Sequence, residues 1–490
     1  MKIDVLVAES GSTTTVVNAF DDRNSDTPKF IAQGQSPTTV FEGGDVRNGL
    51  NGAIKDLCEK LNTVNKETKN DKIIAPQGAR YNETTLNKEN IENQITVENL
   101  EYKHMFATSS AAGGLRMTVH GLVYDMTAKA AKEAALGAGA IIHQVTAGKL
   151  RKSDTKKLLN INPNIILIAG GVDFGERDTA LYNAQMIANL NLEIPIIYAG
   201  NIENIEDIKD IFEDTNYKLY IAENVYPKID VLNIEPTRKI IQEVFEENIT
   251  KAPGMKYIKE MVNENITPTP AAVMQSAKLL YENIGDLVVI DVGGATTDIH
   301  SVTSGNEYIS KISVNPEPLA KRTVEGDLGL YVNMKNLVEI IGIENIKGEL
   351  SNLDIENLIN NHKPIPQTQN EIQFVERLTQ EAIKVSMTRH AGTIRNLYSE
   401  SGKVKIAEGK DLTNVKYIVG TGGALTRLPN REYIMKDMLL QNKDKTKLYP
   451  KENINVMVDN DYIMASLGVL SYKYKEAALR LLKNSLNIYK

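Results

Sequence analysis

The chain has 490 residues, 42% of them apolar and 24% charged, the proportions of a soluble globular protein with room for two to four domains. Its 56 Lys and Arg against 63 Asp and Glu leave a net charge of −7, so nucleic acid, which needs a basic footprint, is not an expected partner. The single cysteine, Cys58, excludes internal disulfides and an iron–sulfur cluster ligated by one chain, and no apolar run approaches the ~20 residues that span a bilayer; a cytoplasmic protein off the membrane is expected.

Residues 3–8 (IDVLVA) form an apolar run that stops at Glu9, Ser10 and Gly11, the pattern of a buried strand entering a tight turn. Glu9 interrupts the run, so it reads as the first strand of the fold and not as a signal peptide. Residues 14–20 and 29–33 read as two further strands, and a helix is expected over 46–62. Residues 63–98, rich in Asn, Lys, Glu and Thr, read as a surface insertion. The segment HMFATSS is the next strand, and Gly113 and Gly114 mark a turn in AAGGLRM. A helix over 125–136 then opens a regular alternation. Strands are expected at 139–145, 164–169, 194–199 and 217–222, with helices at 153–159, 176–190 and 203–213. That alternation predicts a parallel sheet covered by helices, whose ligands and partners meet the carboxyl ends of the strands.

Beyond Pro236 the pattern is helical. A helix over 270–284 places Val273, Ala277, Leu280 and Ile284 on one face, with Pro270 in its first turn. The strand LVVID follows, then HSVTSG and EYISKISV as a hairpin-like set that echoes the start of the chain. A long helix over 371–397, a strand in VKYIVGTGG and a closing helix over 462–484 complete the reading.

Three places share one design, an apolar strand stopping at small and hydroxyl residues: VAESGSTTTVV (7–17), VIDVGGATTDI (289–299) and YIVGTGGALTRL (417–428). Phosphate oxygens take several short hydrogen bonds, and backbone N–H groups reach them where no side chain intervenes. Ser and Thr add hydroxyl donors, and a carboxylate at the strand end holds Mg²⁺ through water. Two such hairpins would clamp a triphosphate, and the third glycine-rich strand end would lie beneath a base and ribose. Neither G-x-x-x-x-G-K-[ST] nor a strand followed by G-x-G-x-x-G occurs, which removes the P-loop and Rossmann dinucleotide fingerprints.

The three motifs resemble the first phosphate, second phosphate and adenosine motifs of the actin, sugar-kinase and heat-shock chaperone ATPase superfamily. TPTPAAVMQSAKLLYENIG also resembles the helix that leads into the chaperones' second phosphate motif. More narrowly, VAESGSTTT, SSAAGGLRM, ALGAGAIIHQVTAGKL, ILIAGGVDFGE and DVGGATTDIHSV resemble the accessory, or reactivating, protein of adenosylcobalamin-dependent glutamate mutase. That family includes relatives found near ornithine aminomutase and is related to the large subunits of diol dehydratase reactivases. The resemblance implies an α/β chain with the actin-like ATPase fold: two RNase H-like halves around a nucleotide cleft, with an inserted Rossmann-like α/β domain. The first half would be 1–110 plus 236–285, the insertion 111–235, and the second half 286–490.

It implies an ATP-dependent, chaperone-like reactivating factor for an adenosylcobalamin-dependent mutase or aminomutase, with cleft closure driving release of damaged cobalamin. ATP or ADP and Mg²⁺ are the implied ligands, and hydrolysis is expected to be slow. The cobalamin-ligating D-x-H-x-x-G pattern is absent, so this chain is not expected to hold cobalamin itself. A small-molecule kinase of the same fold and a non-hydrolysing nucleotide-gated scaffold stay open as alternatives, as do a homodimer and a small second subunit.

Gly11, Ser12, Thr13 and Thr14 are the candidates for one side of the phosphates, and Gly293, Gly294, Thr296 and Thr297 for the other. Glu9 and Asp291 are the candidate catalytic carboxylates and water-mediated Mg²⁺ ligands; Glu9 stands where most of the superfamily has Asp. Asp298 reads either as part of that site or as a cap of the turn. Gly420, Gly422 and Gly423 would admit the adenosine. Asp327 is either a cleft residue or an exposed turn aspartate, and Asp173 is assigned to the inserted domain's surface, toward a partner. The six histidines show no metal-ligand spacing.

Overall fold

A computed structural model describes residues 2–38, 45–70, 95–110, 115–249, 255–262, 266–399, 402–440 and 444–488. The Gly113–Gly114 turn and most of the 63–98 insertion lie outside them; the helix expected over 46–62 runs on as Val46–Asn70.

The strands in chain order are β1 (Lys2–Ser10), β2 (Thr14–Asp21), β3 (Lys29–Pro37), β4 (Glu101–Ser109), β5 (Leu115–Gly121), β6 (Ala140–Ala147), β7 (Ile165–Ile168), β8 (Pro195–Tyr198), β9 (Lys218–Ile221), β10 (Ile266–Pro268), β11 (Leu287–Val292), β12 (Thr297–Val302), β13 (Ala320–Glu325), β14 (Thr393–Ser399), β15 (Gly402–Glu408), β16 (Tyr417–Thr421) and β17 (Asn455–Val458). The chain divides into two compact units. One comprises Met1–Ala112, Ile249–Thr269 and Ala465–Leu481; the other comprises Gly113–Asn248, Pro270–Met464 and Leu482–Lys490.

In the first unit one sheet runs β10-β4-β1-β2-β3. β1, β2 and β3 are successively antiparallel, while β4 and β10 run parallel to β1. β1 is central and covered on both faces, so its Ile3, Val5, Leu6 and Val7 are fully buried and the strand reads as a continuous apolar run. The helix Val46–Asn70 packs on β3, with Leu50, Leu57 and Leu61 buried. Gly34 permits that approach: a Cβ there would meet Leu57 N at 2.5 Å.

The second unit holds two five-stranded sheets. The order β13-β12-β11-β16-β17, with β11, β12 and β13 antiparallel and β16 and β17 parallel to β11, repeats the order and directions of the first unit's sheet. This RNase H-like order, used twice, makes the chain an α/β protein of the actin-like class. One core cluster joins this sheet to the helix Gln369–His390 through Ile290, Ile299, Phe374, Leu378 and Met387. The other sheet is all parallel, in the order β6-β5-β7-β8-β9. The expected Rossmann-like insertion therefore takes the flavodoxin-like strand order, with its switch point beside β5 and β7.

Several boundaries differ from expectation. EYISKISV is not a strand: Asn306 accepts a hydrogen bond from Tyr308 N at 2.9 Å and starts the helix Glu307–Lys311, so β13 supplies the third strand. The long helix ends at His390, where Ala391 turns extended (φ −72°, ψ 139°); Gly392 then packs close to Glu408, where a Cβ would meet its O at 2.7 Å, and β14 and β15 form a hairpin. The closing helix is two, Met464–Ser471 and Lys475–Ser485. β5, read only as a turn and its exit, is a central strand with Leu115, Met117 and Val119 buried.

Candidate functional site

In the first unit, β1 turns into β2 through Gly11–Thr13, closed by Gly11 N donating to Thr14 O at 3.0 Å. A Cβ on Gly11 would stand 2.6 Å from that oxygen, so the turn requires glycine. Residues Gly11, Ser12, Thr13 and Thr14 are half-buried, and Glu9 is buried at the carboxyl end of β1 beside Thr108 of β4. Thr38 holds the turn from the end of β3. Its N–H donates to Thr13 O at 2.9 Å, and its hydroxyl donates to Gly11 O at 2.9 Å. These bonds leave the Ser12 and Thr13 hydroxyls out. Sequence reasoning missed Thr38, because its role depends on the β2–β3 register.

The second unit repeats the turn. β11 passes into β12 through 293–296, closed by Gly293 N donating to Thr296 O at 3.0 Å. Asp291 precedes Gly293 by two residues, as Glu9 precedes Gly11. Gly293 O accepts from Leu330 N at 3.2 Å, and Gly294 O accepts from Tyr331 N and Val332 N at 2.9 and 2.8 Å, so the segment after β13 braces this turn as Thr38 braces the other.

The hydroxyl-bearing residues of this turn are not equivalent. Thr296 Oγ1 donates to Asp298 Oδ2 at 2.8 Å, which makes Asp298 a cap of the turn. Thr297 is fully buried and its hydroxyl donates to Leu328 O at 2.8 Å, an internal bond. Asp298 Oδ1 also receives Arg322 Nε at 2.8 Å and Nη2 at 2.6 Å. Arg322 Nη1 then reaches Leu136 O and Ala140 O, both at 3.0 Å, at the end of the helix Lys129–Gly137 and the start of β6. Arg238 Nη2 donates in the opposite sense, from the helix Glu235–Ile249 to Ala320 O of β13 at 2.9 Å. The parallel sheet is thus bolted to the strand that neighbours the turn.

Burial, with Asp298 and Asp459 adding negative charge nearby, lifts the Asp291 carboxyl to about 7 against the partial opposition of Arg322. Asp459 directly follows β17; it accepts from Thr421 Oγ1 at 2.9 Å and Met464 N at 2.9 Å, and burial raises its pKa as well. Asp459 was missed because MVDND carries no glycine and no hydroxyl turn. A carboxyl whose charged form is disfavoured by burial, and secondarily by neighbouring carboxylates, is one whose ionisation a divalent cation would restore, so Asp291 fits a hydrated Mg²⁺. Among the described residues no group of three or more His, Cys, Asp and Glu is disposed to hold a metal ion, so the arrangement offers single carboxylates and no cage.

The third motif divides. Gly422 has φ +83° and packs on the second turn: a Cβ there would run into Asp291 Oδ1 and Val292 O. Gly420 is buried, and a Cβ would meet Met435 Sδ at 2.7 Å. Gly423 is exposed with open space around it, and is the one of the three that a ligand approaches freely.

The remaining candidates are structural in this arrangement. Asp327 forms a forked ion pair with Arg389, Nη1 at 2.8 Å and Nη2 at 3.0 Å, which holds its carboxyl below the usual range. Asp173 Oδ1 accepts from Asn224 Nδ2 at 2.9 Å and Ile202 N at 3.1 Å, so it knits loops of the parallel sheet together. His120, His300 and His390 are buried, and burial lowers the pKa of each.

The repeated strand order and the repeated turn place the chain in the actin-like α/β class. It belongs to the MutL protein family, whose model matches residues 5–486. It is 37% identical over 495 residues, 98% of each chain, to Protein MutL of Clostridium tetanomorphum. Among solved structures it is similar to nucleotide-free acetone carboxylase, at 12% identity over 96% of this chain and 70% of that one, TM-score 0.40. It is also similar to a glycerol dehydratase reactivase, at 10% identity over 95% of this chain and 99% of that one, TM-score 0.35. No helix among the described residues is long and apolar enough to cross a membrane.

Proposed function

We propose that this MutL-family chain is an ATP-dependent reactivating factor for an adenosylcobalamin-dependent mutase or aminomutase. The observation that carries the nucleotide part is the turn made twice, Gly11 N to Thr14 O and Gly293 N to Thr296 O, each two residues beyond a carboxylate at the end of a central strand. One hairpin of this kind is an ordinary turn; the same turn beside a carboxylate in each of two like sheets supports the nucleotide reading. Family membership and the motifs shared with mutase accessory proteins support the partner.

In this reading Gly11, Ser12, Thr13 and Thr14 of one turn and Gly293, Gly294 and Thr296 of the other bind the phosphates, Thr296 through its N–H because its hydroxyl is held by Asp298. Glu9 and Asp291 hold the water shell of Mg²⁺, which when bound neutralises phosphate charge. Gly423 admits the adenosine, while Thr297 and Gly422 hold the second turn in shape and Gly420 makes room for Met435. The Thr296–Asp298–Arg322 series bears on Leu136 and Ala140, so a nucleotide that repositions the turn shifts the parallel sheet in step. ATP and ADP drive such a shift only by binding its two states unequally.

The test is recovery of a mutase inactivated in turnover. With this chain, ATP, Mg²⁺ and fresh adenosylcobalamin, activity is expected to return; omission of nucleotide is expected to leave the mutase dead. Equal recovery without the chain, or phosphorylation of a small molecule in place of recovery, would contradict the reading.

A further inference from the structure

The carboxyl edge of the parallel sheet is where such folds bind ligands and partners, and here the loops after β7, β8 and β9 are tied together by the chain's own amides. Asn201 is fully buried; its Oδ1 accepts from Phe174 N at 3.1 Å and its Nδ2 donates to Gly175 O at 3.2 Å. Asn224, 6% exposed, donates to Gly171 O at 3.1 Å and to Asp173 Oδ1. Asp173 N reaches Pro227 O at 3.0 Å, which ties in the loop after β9. The loops after β7, β8 and β9 are therefore one hydrogen-bonded block with its polar groups spent internally.

Among its charged residues this block also shows large apolar side chains to solvent. Phe174 is 78% exposed, Ile229 68% and Ile202 52%; Tyr124, from the loop after β5, is 59% exposed. β5, β7, β8 and β9 are adjacent and parallel, so all four loops leave the same edge. Phe174 sits at φ +63°, a left-handed conformation that a bulky residue rarely adopts, held by its N–H bond to Asn201. Isolated exposed apolar residues are ordinary; four on the adjoining loops of one edge form a patch.

The rim of the patch is acidic. Asp125, Glu176, Glu203, Glu223 and Asp230 are exposed around it. Against them stand Lys228 and Arg177, the latter paired with Asp207 at 3.0 Å, while the exposed Lys149, Arg151 and Lys152 lie just after β6, beyond β5 from Phe174, Ile202 and Ile229, so the acidic rim is the one around the loops after β7, β8 and β9. A second copy of this chain meeting the patch about a twofold axis would set acidic rim on acidic rim, which disfavours self-association.

We propose that this edge docks the enzyme the factor serves, through an apolar depression on that enzyme ringed by Lys and Arg, with Phe174 and Ile229 as the anchors. The proposal rests on the reading that the chain acts on an adenosylcobalamin-dependent mutase. The experiment measures binding of the full chain to the purified mutase of the same organism, with Mg-ADP or Mg-ATP present. Phe174→Ser and Ile229→Ser are each expected to weaken binding roughly tenfold or more. Glu203→Lys combined with Glu223→Lys is expected to slow association and flatten its salt dependence, with nucleotide binding by every variant unchanged. If the wild-type chain binds the mutase and both serine variants bind it equally well, the surface is wrong and the functional reading survives. If the wild-type chain binds the mutase in no nucleotide state, both fall.

Discussion

Arg322 and Asp298 form an ion pair in which the guanidinium side chain is 1% exposed and the carboxylate side chain 6%, with two nitrogens on one oxygen at 2.8 and 2.6 Å. Such a pair gains from mutual attraction roughly what it loses in desolvation, but removing one member strands the other. Its third nitrogen spans to Leu136 O and Ala140 O, so the same side chain serves the turn and the neighbouring sheet.

Arg322→Met should therefore destabilise the second unit by about 3–5 kcal/mol, and adding Asp298→Asn should recover part of that loss. Urea unfolding of the single and double variants measures both. Additive losses would show that the pair is not coupled.

Asp291 gives a pH signature. Its folded-state carboxyl titrates at about 7 against an ordinary 3.8, so folding favours the protonated form. That contribution is fully present below about pH 4 and is lost as pH rises through about 7. Asp291→Asn, neutral throughout, should be more stable than wild type at pH 8 by on the order of 2 kcal/mol, with the gap closing as pH falls toward 4. The same variant should lose Mg-nucleotide affinity. Thermal unfolding across pH 4–8 checks the first outcome and calorimetry the second.

Gly422 and Gly423 should separate cleanly. Gly422→Ala meets a positive φ and a clash with Asp291 and Val292, and should cost about 1–3 kcal/mol of stability. Gly423→Ala has open space and should leave unfolding unchanged. Valine or larger at 423 should reduce nucleotide affinity without lowering the melting temperature. Paired melting and binding measurements on the three variants decide this.

The sheets were legible where burial writes a long apolar run into the chain. β1, β7, β8 and β11 are continuous buried strands, and each was read within a residue or two. Half-exposed or short elements left no such run. β14 and β15 are a hairpin with Leu397 and Val404 exposed, and β17 has four residues. The turns at Gly11 and Gly293 were visible because glycine and hydroxyl residues concentrate there. Thr38, Asp459 and Arg322 were not, because each enters through register or topology: β3 beside β2, β17 beside β16, β13 against the helix Lys129–Gly137. The glycines of the third motif were seen, but that Gly420 and Gly422 answer to packing while Gly423 lies open is a three-dimensional distinction.

The proposed function requires that a single nucleotide draw on both turns. Calorimetric titration of the chain with ADP and with a non-hydrolysable ATP analogue, in Mg²⁺, tests it most directly, using wild type, Thr13→Val and Thr296→Val. One site per chain is predicted, with Thr13→Val weakening it about tenfold for a lost charge-assisted hydrogen bond, Thr296→Val weakening the same site by releasing the second turn from Asp298, and both variants melting as cooperatively as wild type. Absence of binding by the folded wild-type chain, or a site that responds to one turn and ignores the other, would contradict it.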